Sequence, residues 1–294
     1  MKIAVVTDST SDLTSTELKE NPNITVIPLP VIIDEKTYLD KVEIDAEKVF
    51  ELQRNGSSFP KTSQPALGEL LELFDKLHDD GYEAIIVIPL TSAISGFYNS
   101  LVRIAKDYPK YNLHPFDSGM TVRSMGMMVL AAAKMAQNGL DVDEIFKRLE
   151  KMRDSMGVLF VVDDLQNLVH GGRLSNASAF IGTMLNIKPL LTFDKKTYEI
   201  KSFDKVRSLK RAIKKSEDLA FKQIADSPYK DKLRFSIYNS NDEKQANEVA
   251  DKFEEMYPNA TVDRQTFDAI VATHLGEKSL GITWILDPNK MDLN

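Results

Sequence analysis

The sequence predicts two α/β domains, an N-terminal parallel sheet flanked by helices and a C-terminal mixed sheet with helices. Three observations carry this. In the first half, short apolar runs end in polar turns and are followed by helix-period segments, the strand–turn–helix unit of a parallel sheet. In the second half, two alternating runs flank Asp194-Lys195-Lys196 as a hairpin while long helical segments separate other strands, so antiparallel and crossover connections are mixed. A chain of 294 residues is also long for one core, at ~100–200 residues per domain. The expected domains are 1–157 and 158–294.

Taken in order, Lys2 to Val6 is a buried-strand candidate. The run Thr7-Asp8-Ser9-Thr10-Ser11-Asp12 then supplies hydroxyls and carboxylates to cap a helix starting near Leu13 or Thr14. Ile24 to Ile33 is extended and broken by Pro28 and Pro30. Asp45 caps a helix reaching Asn55. Lys61 to Pro65 leads into a helix over Ala66 to Asp79, with Leu67, Leu70, Leu71, Phe74 and Leu77 on one face. Ala84 to Pro89 is a short buried strand, and Thr91 to Gly96 precedes a helix over Phe97 to Lys106. After a strand near Asn112 to Phe116, Asp117-Ser118 opens a Met-rich helix over Ser124 to Asn138. The helix Val142 to Met156 stops before Gly157.

The second half starts with a strand over Val158 to Val162, and Leu165 to Gly172 leads to Arg173 and an apolar stretch from Ala179 to Ile187. Pro189 to Phe193 and Tyr198 to Phe203 form the hairpin. A basic helix follows over Val206 to Ala225, then a strand over Leu233 to Tyr238, a helix over Glu243 to Met256, a strand over Ala260 to Gln265, and a terminal Leu280 to Leu286 segment. No internal repeat is visible.

The formal net charge of −7 argues against nucleic acid, which calls for a basic face. No run approaches the ~20 apolar residues of a membrane span, and the chain opens on Ile3-Ala4-Val5-Val6 rather than a basic-then-apolar leader. With no cysteine, disulfides and thiolate chemistry are removed together and a reducing compartment is expected. The expected location is the cytoplasm.

Two hydroxyl-rich segments stand out, Lys61-Thr62-Ser63-Gln64-Pro65 and Thr91-Ser92-Ala93-Ile94-Ser95-Gly96, each where an extended run ends. Strand ends of parallel α/β domains hold ligands. A hydrolase would need a base beside the serine or a metal with its ligands, whereas His78, His114, His170 and His274 are scattered. Binding is therefore favoured over catalysis. Thr62 or Ser63 either caps the following helix or donates to a ligand, and Ser95 has the same two readings, with Gly96 leaving room for a ligand to reach backbone N–H groups. Asp8 to Asp12 reads as a helix cap against a phosphatase-like aspartate nucleophile, which wants its second carboxylate two residues on. Gly171-Gly172-Arg173 is a turn whose arginine either forms a structural salt bridge or holds a carboxylate or carbonyls. His274, after Ile270-Val271-Ala272, reads as structural more often than functional. Met120, Met125, Met127, Met128 and Met135 suit a core, or a cavity for an irregular apolar guest. Lys205 to Lys215 reads as a solvated basic face or a docking surface for an acidic partner.

Together these pieces resemble the DegV family of bacterial fatty-acid-binding proteins, which includes the acyl carriers of the fatty acid kinase system. The matching segments are Thr7 to Leu13, Thr62-Ser63-Gln64-Pro65, Ser92-Ala93-Ile94-Ser95-Gly96-Phe97-Tyr98, Gly171-Gly172-Arg173-Leu174, Ile187-Lys188-Pro189-Leu190-Leu191, Lys205-Val206-Arg207 and His274-Leu275-Gly276. They run in order over nearly the whole chain. The resemblance implies two α/β domains and a long-chain fatty acid, its tail buried and its carboxylate near the domain junction. It implies that Thr62, Ser95 and His274 bind the carboxylate with backbone contact at Gly96, and that Ser63, Arg173 and Arg207 are supporting or partner-facing. It further implies a carrier without catalytic residues, metal or cofactor beyond the bound fatty acid. That carrier presents its ligand to a partner kinase for acyl-phosphate formation and makes transient membrane contact during exchange. The alternatives are a serine- or aspartate-dependent hydrolase or phosphatase using Ser95 or Asp8, and a binder of another amphiphilic metabolite. The sequence departs from the family's usual His-x-Gly-Pro-Gly-Ala loop, since Glu277-Lys278-Ser279 follows Gly276; Ala66 replaces a common serine, and Phe97 a common threonine or serine.

Overall fold

The structure, a computed structural model, describes residues 1–175 and 187–293 of the 294-residue chain. The apolar stretch 179–187 lies outside the described residues except for Ile187. In chain order the elements of the first half are β1 (Ile3–Asp8), α1 (Ser15–Glu20), β2 (Ile24–Ile27), β3 (Pro30–Ile33), β4 (Lys36–Leu39), α2 (Ala46–Arg54), β5 (Lys61–Thr62), α3 (Leu67–Asp79), β6 (Ala84–Ile88), α4 (Phe97–Asp107), β7 (Leu113–Pro115), α5 (Val122–Gln137) and α6 (Val142–Ser155). Then follow β8 (Gly157–Val161), α7 (Gln166–Gly171), β9 (Lys188–Phe193), β10 (Ile200–Val206), α8 (Leu209–Ala225), β11 (Leu233–Asn239), α9 (Glu243–Met256), β12 (Val262–Thr266), α10 (Ala269–Leu275) and β13 (Leu280–Leu286). No helix among the described residues is long and apolar enough to cross a membrane.

Two compact units emerge, and a single cut at 157/158 does not separate them. The first comprises Met1–Pro30, Ser63–Asp154 and Asp287–Asn294; the second comprises Val31–Thr62 and Ser155–Leu286. The excursion Val31–Thr62 folds with the second unit because its elements close on partners there. Lys61 and Thr62 pair antiparallel with Ile32 and Val31, completing a small sheet of order β4-β3-β5. The buried face of α2, with Ala46, Val49 and Phe50, packs beside α10.

In the first unit the sheet order is β2-β1-β6-β7, and every pairing is parallel, as expected. β1 and β6 are buried along their whole length, which suits continuous apolar strands covered on both faces. α5 packs on β1 and on the tight turn Ser9–Ser11. Gly126 permits this approach, since a Cβ there would lie 2.1 Å from the Ser11 carbonyl oxygen. The Thr7 to Asp12 run caps that tight turn rather than α1: Asp8 accepts from Thr10 N at 3.0 Å and from Leu90 N at 2.7 Å. α1 has its own reciprocal cap, Thr14 accepting from Glu17 N while the Glu17 carboxylate accepts from Thr14 N, the pairing that satisfies two orphan N–H groups at once.

The second unit holds a mixed sheet of order β10-β9-β8-β13-β11-β12. Among the strands described, β11 pairs parallel with β12 and the other pairings are antiparallel. The expected hairpin is β9–β10, its turn held by Asp194 accepting from Lys196 N and Thr197 N. Val206 pairs with Lys188 and belongs to β10, so α8 begins only after Ser208. Leu233, Phe235, Ile237 and Trp284 of the sheet belong to one apolar core with Ala212, Ile213, Ala220 and Ile224 of α8 and Ala246, Val249, Ala250 and Phe253 of α9.

Candidate functional site

Thr62 is the last residue of β5, fixed by the pairing with Val31. From there its hydroxyl lies 2.8 Å from Nε2 of His274. His274 sits in the last turn of α10, whose first turn is capped by Asp268 accepting from Val271 N at 2.8 Å. Asp40, on the excursion, accepts from Ala269 N at 3.1 Å. At the other end, Asn167 of α7 donates to the Thr273 carbonyl at 2.8 Å, satisfying one of the acceptors a helix C-terminus leaves open. Gly276 then stops the helix with φ +74°, a conformation that favours glycine.

The imidazole rests on α7. A Cβ at Gly171 would lie 2.4 Å from His274 Nδ1, so the absence of a side chain there makes the seat. Part of the His274 surface is accessible, but Nδ1 is enclosed and has no hydrogen-bond partner among the described residues. Burial first, and the nearby Arg173 charge second, push the His274 pKa down to about 3. Arg173 donates to the Gly171 carbonyl, and burial lowers its own pKa. His274 is therefore neutral at physiological pH. With a positive charge nearby, the proton is better placed on Nε2 than on the enclosed Nδ1, because an enclosed N–H with no acceptor carries the larger penalty. In this tautomer Nε2–H donates to Thr62 Oγ1, and the Thr62 O–H remains available to donate to a ligand oxygen.

Within the first unit, Ser95 accepts from Phe97 N at 3.2 Å, holding the start of α4. Gly96 is exposed and begins that helix; a Cβ there would come within 3.3 Å of Gln64 Oε1. Gln64 Oε1 also accepts from Ser100 at 3.1 Å. Ser63 is exposed and donates to the Gln64 carbonyl at 3.1 Å. Ser92 donates to Asp117 through both its backbone N–H and its hydroxyl. Asp8 is fully buried and its two oxygens receive Leu90 N, Thr10 N and Thr10 Oγ1. The methionines Met120, Met125, Met127, Met128 and Met135 are all buried in this unit's core.

A profile described as an uncharacterised protein of the DegV family matches residues 2–287. The chain belongs to the DegV family. It is 38% identical over 285 residues to Protein DegV of Bacillus subtilis, covering 97% of this chain and 99% of that protein. The crystal structure of DegV, a fatty acid binding protein from Bacillus subtilis, superposes with a TM-score of 0.84 at 36% identity, over 97% of this chain and 99% of that one. A fatty acid binding DegV family protein from Streptococcus agalactiae gives a TM-score of 0.87 at 29% identity, with 97% and 99% coverage.

In this DegV chain, then, the second unit brings together Thr62, His274, Gly171 and Arg173, while Ser63, Ser95 and Gly96 belong to the first. Arg207 is exposed between β10 and α8. Of the basic α8 face, Lys214 pairs with Asp218 at 2.7 Å and Lys215 with Asp204, so part of that face is neutralised locally. Sequence reasoning missed Asn167 and the helix that carries His274. The signal for α10 was present: Asp268 as cap, an apolar Ala269 to Ala272 turn and Gly276 as stop.

Proposed function

We propose that this DegV-family chain binds a long-chain fatty acid with its tail buried and its carboxylate held by Thr62 and His274. The observation that carries the proposal is the 2.8 Å contact between Thr62 Oγ1 and a His274 kept neutral by burial and by Arg173. A neutral imidazole orients the hydroxyl without adding a full positive charge, so the ligand carboxylate keeps its own charge and nucleophilicity. Ser95 and Gly96 are assigned to the same headgroup by their motif, and Ser63, Arg173 and Arg207 to support of the site or contact with a partner. The tail supplies the binding energy: ~15 methylenes at ~0.8 kcal/mol each offer on the order of 12 kcal/mol before ordering costs. Similarity to fatty acid binding DegV proteins of Bacillus subtilis and Streptococcus agalactiae supports the ligand class.

The same reading makes the chain a carrier in the cytoplasm. It presents the bound carboxylate to a partner kinase, which transfers a phosphoryl group to it and forms an acyl-phosphate, and it loads and unloads during transient contact with a bilayer. The ordered motifs from Thr7 to Gly276 support this assignment.

Titrating delipidated protein with oleate and with oleyl alcohol, which share a tail, tests the headgroup. Oleate is expected to bind much more tightly, and Thr62→Ala or Ser95→Ala to bring the two together. Equal affinity in the parent protein would reject the assignment. Acyl-phosphate formation with a fatty acid kinase catalytic protein, ATP and loaded carrier tests the partner; free oleate phosphorylated equally well without the carrier would reject it.

A further inference from the structure

The proposed headgroup pair depends on two segments keeping their spacing, since Thr62 ends the excursion Val31–Thr62 whereas His274 lies on α10. A polar network on the second unit joins α2, which lies within that excursion, to the loop that follows α10. Glu277, three residues after His274, accepts from Arg54 Nη1 at 2.6 Å and from Asn241 Nδ2 at 3.0 Å. Arg54 Nη2 donates to Glu47 at 2.5 Å, and Asn241 reaches the other Glu47 oxygen at 2.6 Å. Glu47 and Arg54 are seven residues apart on α2, two helical turns, so one face of that helix presents both.

The loop carrying Glu277 is itself well fixed. Lys278, at φ +56°, donates its N–H to the Ser240 carbonyl at 2.7 Å. The buried Ser279 hydroxyl reaches the carbonyls of Leu275 and Gly276 at 3.0 and 3.1 Å. One backbone bond and the Ser279 hydroxyl thus hold this turn. A fixed loop transmits the position of Glu277 to the last turn of α10.

We infer that Arg54 and Glu277 are positioning residues for the headgroup site: their ion pair joins α2, and through it Thr62, to the helix bearing His274. The inference rests on the fatty acid reading for its consequence, which is that ligand retention depends on ionic strength. The side chains of Arg54 and Glu277 are 49% and 32% exposed, so salt screens their pairing.

The test uses full-length protein with Arg54→Gln, Glu277→Gln, the double variant and Arg54→Lys. Two readouts are taken: oleate release to acceptor vesicles at low and high ionic strength, and the ¹⁵N resonance of His274 Nε2 in delipidated protein. Each glutamine variant is expected to release oleate about 2–5-fold faster at low salt, the span set by an exposed ion pair. Each should also lose the salt acceleration of the parent and shift the His274 resonance. The double variant should match the singles, and Arg54→Lys should recover most of the parent behaviour. Parent-like release and salt response in the glutamine variants, with His274 unmoved, would overturn the inference, as would faster release that merely tracks lost thermal stability with His274 unmoved. If the parent binds no oleate while the His274 resonance still shifts, the coupling stands and the fatty acid reading falls.

Discussion

Thr62 Oγ1 and His274 Nε2 lie 2.8 Å apart although 212 residues separate them in the chain. The contact exists because Val31–Thr62 leaves the first unit's sequence and folds with the second, where β5 sets Thr62 and α10 sets His274. A ligand carboxylate placed on the free Thr62 O–H would gain a charge-assisted bond, and those bonds are the strong ones.

Thr62→Ala is expected to weaken fatty acid binding about 10–100-fold, the effect of losing a hydrogen bond to a charged group worth ~1.5–3 kcal/mol, and His274→Ala, which removes the N–H that orients the Thr62 hydroxyl, to weaken it by less. Thr62→Ser keeps the hydroxyl and should stay near the parent. Dissociation constants for oleate, with circular dichroism to confirm an intact fold, check both statements.

His274 also predicts an acid limb of stability. Its pKa is depressed to about 3 in the folded chain, against about 6.5 for an unperturbed histidine. The unfolded chain therefore takes up a proton that the folded one refuses, so stability is full above about pH 6.5 and falls as pH drops toward 3. Denaturant midpoints across that range should fall more steeply in the parent than in His274→Gln. Arg173→Met, by removing the second cause of the depression, should raise the His274 pKa in an NMR titration.

Gly171→Ala puts a Cβ where His274 Nδ1 now sits. The imidazole must move away, which strains packing by about 1–3 kcal/mol and breaks the contact with Thr62. Thermal unfolding and oleate affinity should both drop, and the His274 Nε2 resonance should shift. Ala at Gly172, where φ is +69° but no atom lies within 4 Å of the added Cβ, should cost stability while leaving that resonance in place.

Much of this was legible in the sequence, and the exceptions have physical causes. The parallel strands β1 and β6 are continuous apolar runs, and α3 and α9 have regular apolar spacing, so their periodicity marks them. β5 has only two residues and α10 only seven, too short for any period, yet they carry Thr62 and His274. The interleaved units were equally hidden, because pairing of Lys61 and Thr62 with Ile32 and Val31 is a tertiary fact without a local signature. Position at the ends of extended runs marked the hydroxyl motifs as candidate donors and the family resemblance set His274 beside Thr62; only the packing shows that the two touch and that Gly171 makes room for the imidazole.

The first unit offers an independent stability prediction. Arg123, 3% exposed, pairs with Glu17, 20% exposed. Burial alone would raise the Glu17 pKa, but hydrogen bonds from Arg123 and Thr14 and the Arg123 charge outweigh it and hold the carboxyl below its ordinary value. Arg123→Met should cost about 1.5–3 kcal/mol by removing the charged partner of a half-buried carboxylate that keeps only its bonds from Thr14. Because the folded pKa is depressed, the stabilisation from the pair is present above the ordinary carboxylate range and lost as pH falls below it. Chemical denaturation of the two proteins at neutral and acid pH checks both parts.

The most direct test of the central claim is to extract the purified protein under denaturing conditions and identify released lipid by mass spectrometry, with a Thr62→Ala/His274→Ala variant prepared in parallel. Near-stoichiometric long-chain fatty acid from the parent and little from the variant is the predicted result. No fatty acid from the parent, even after delipidation and challenge with oleate, would contradict it.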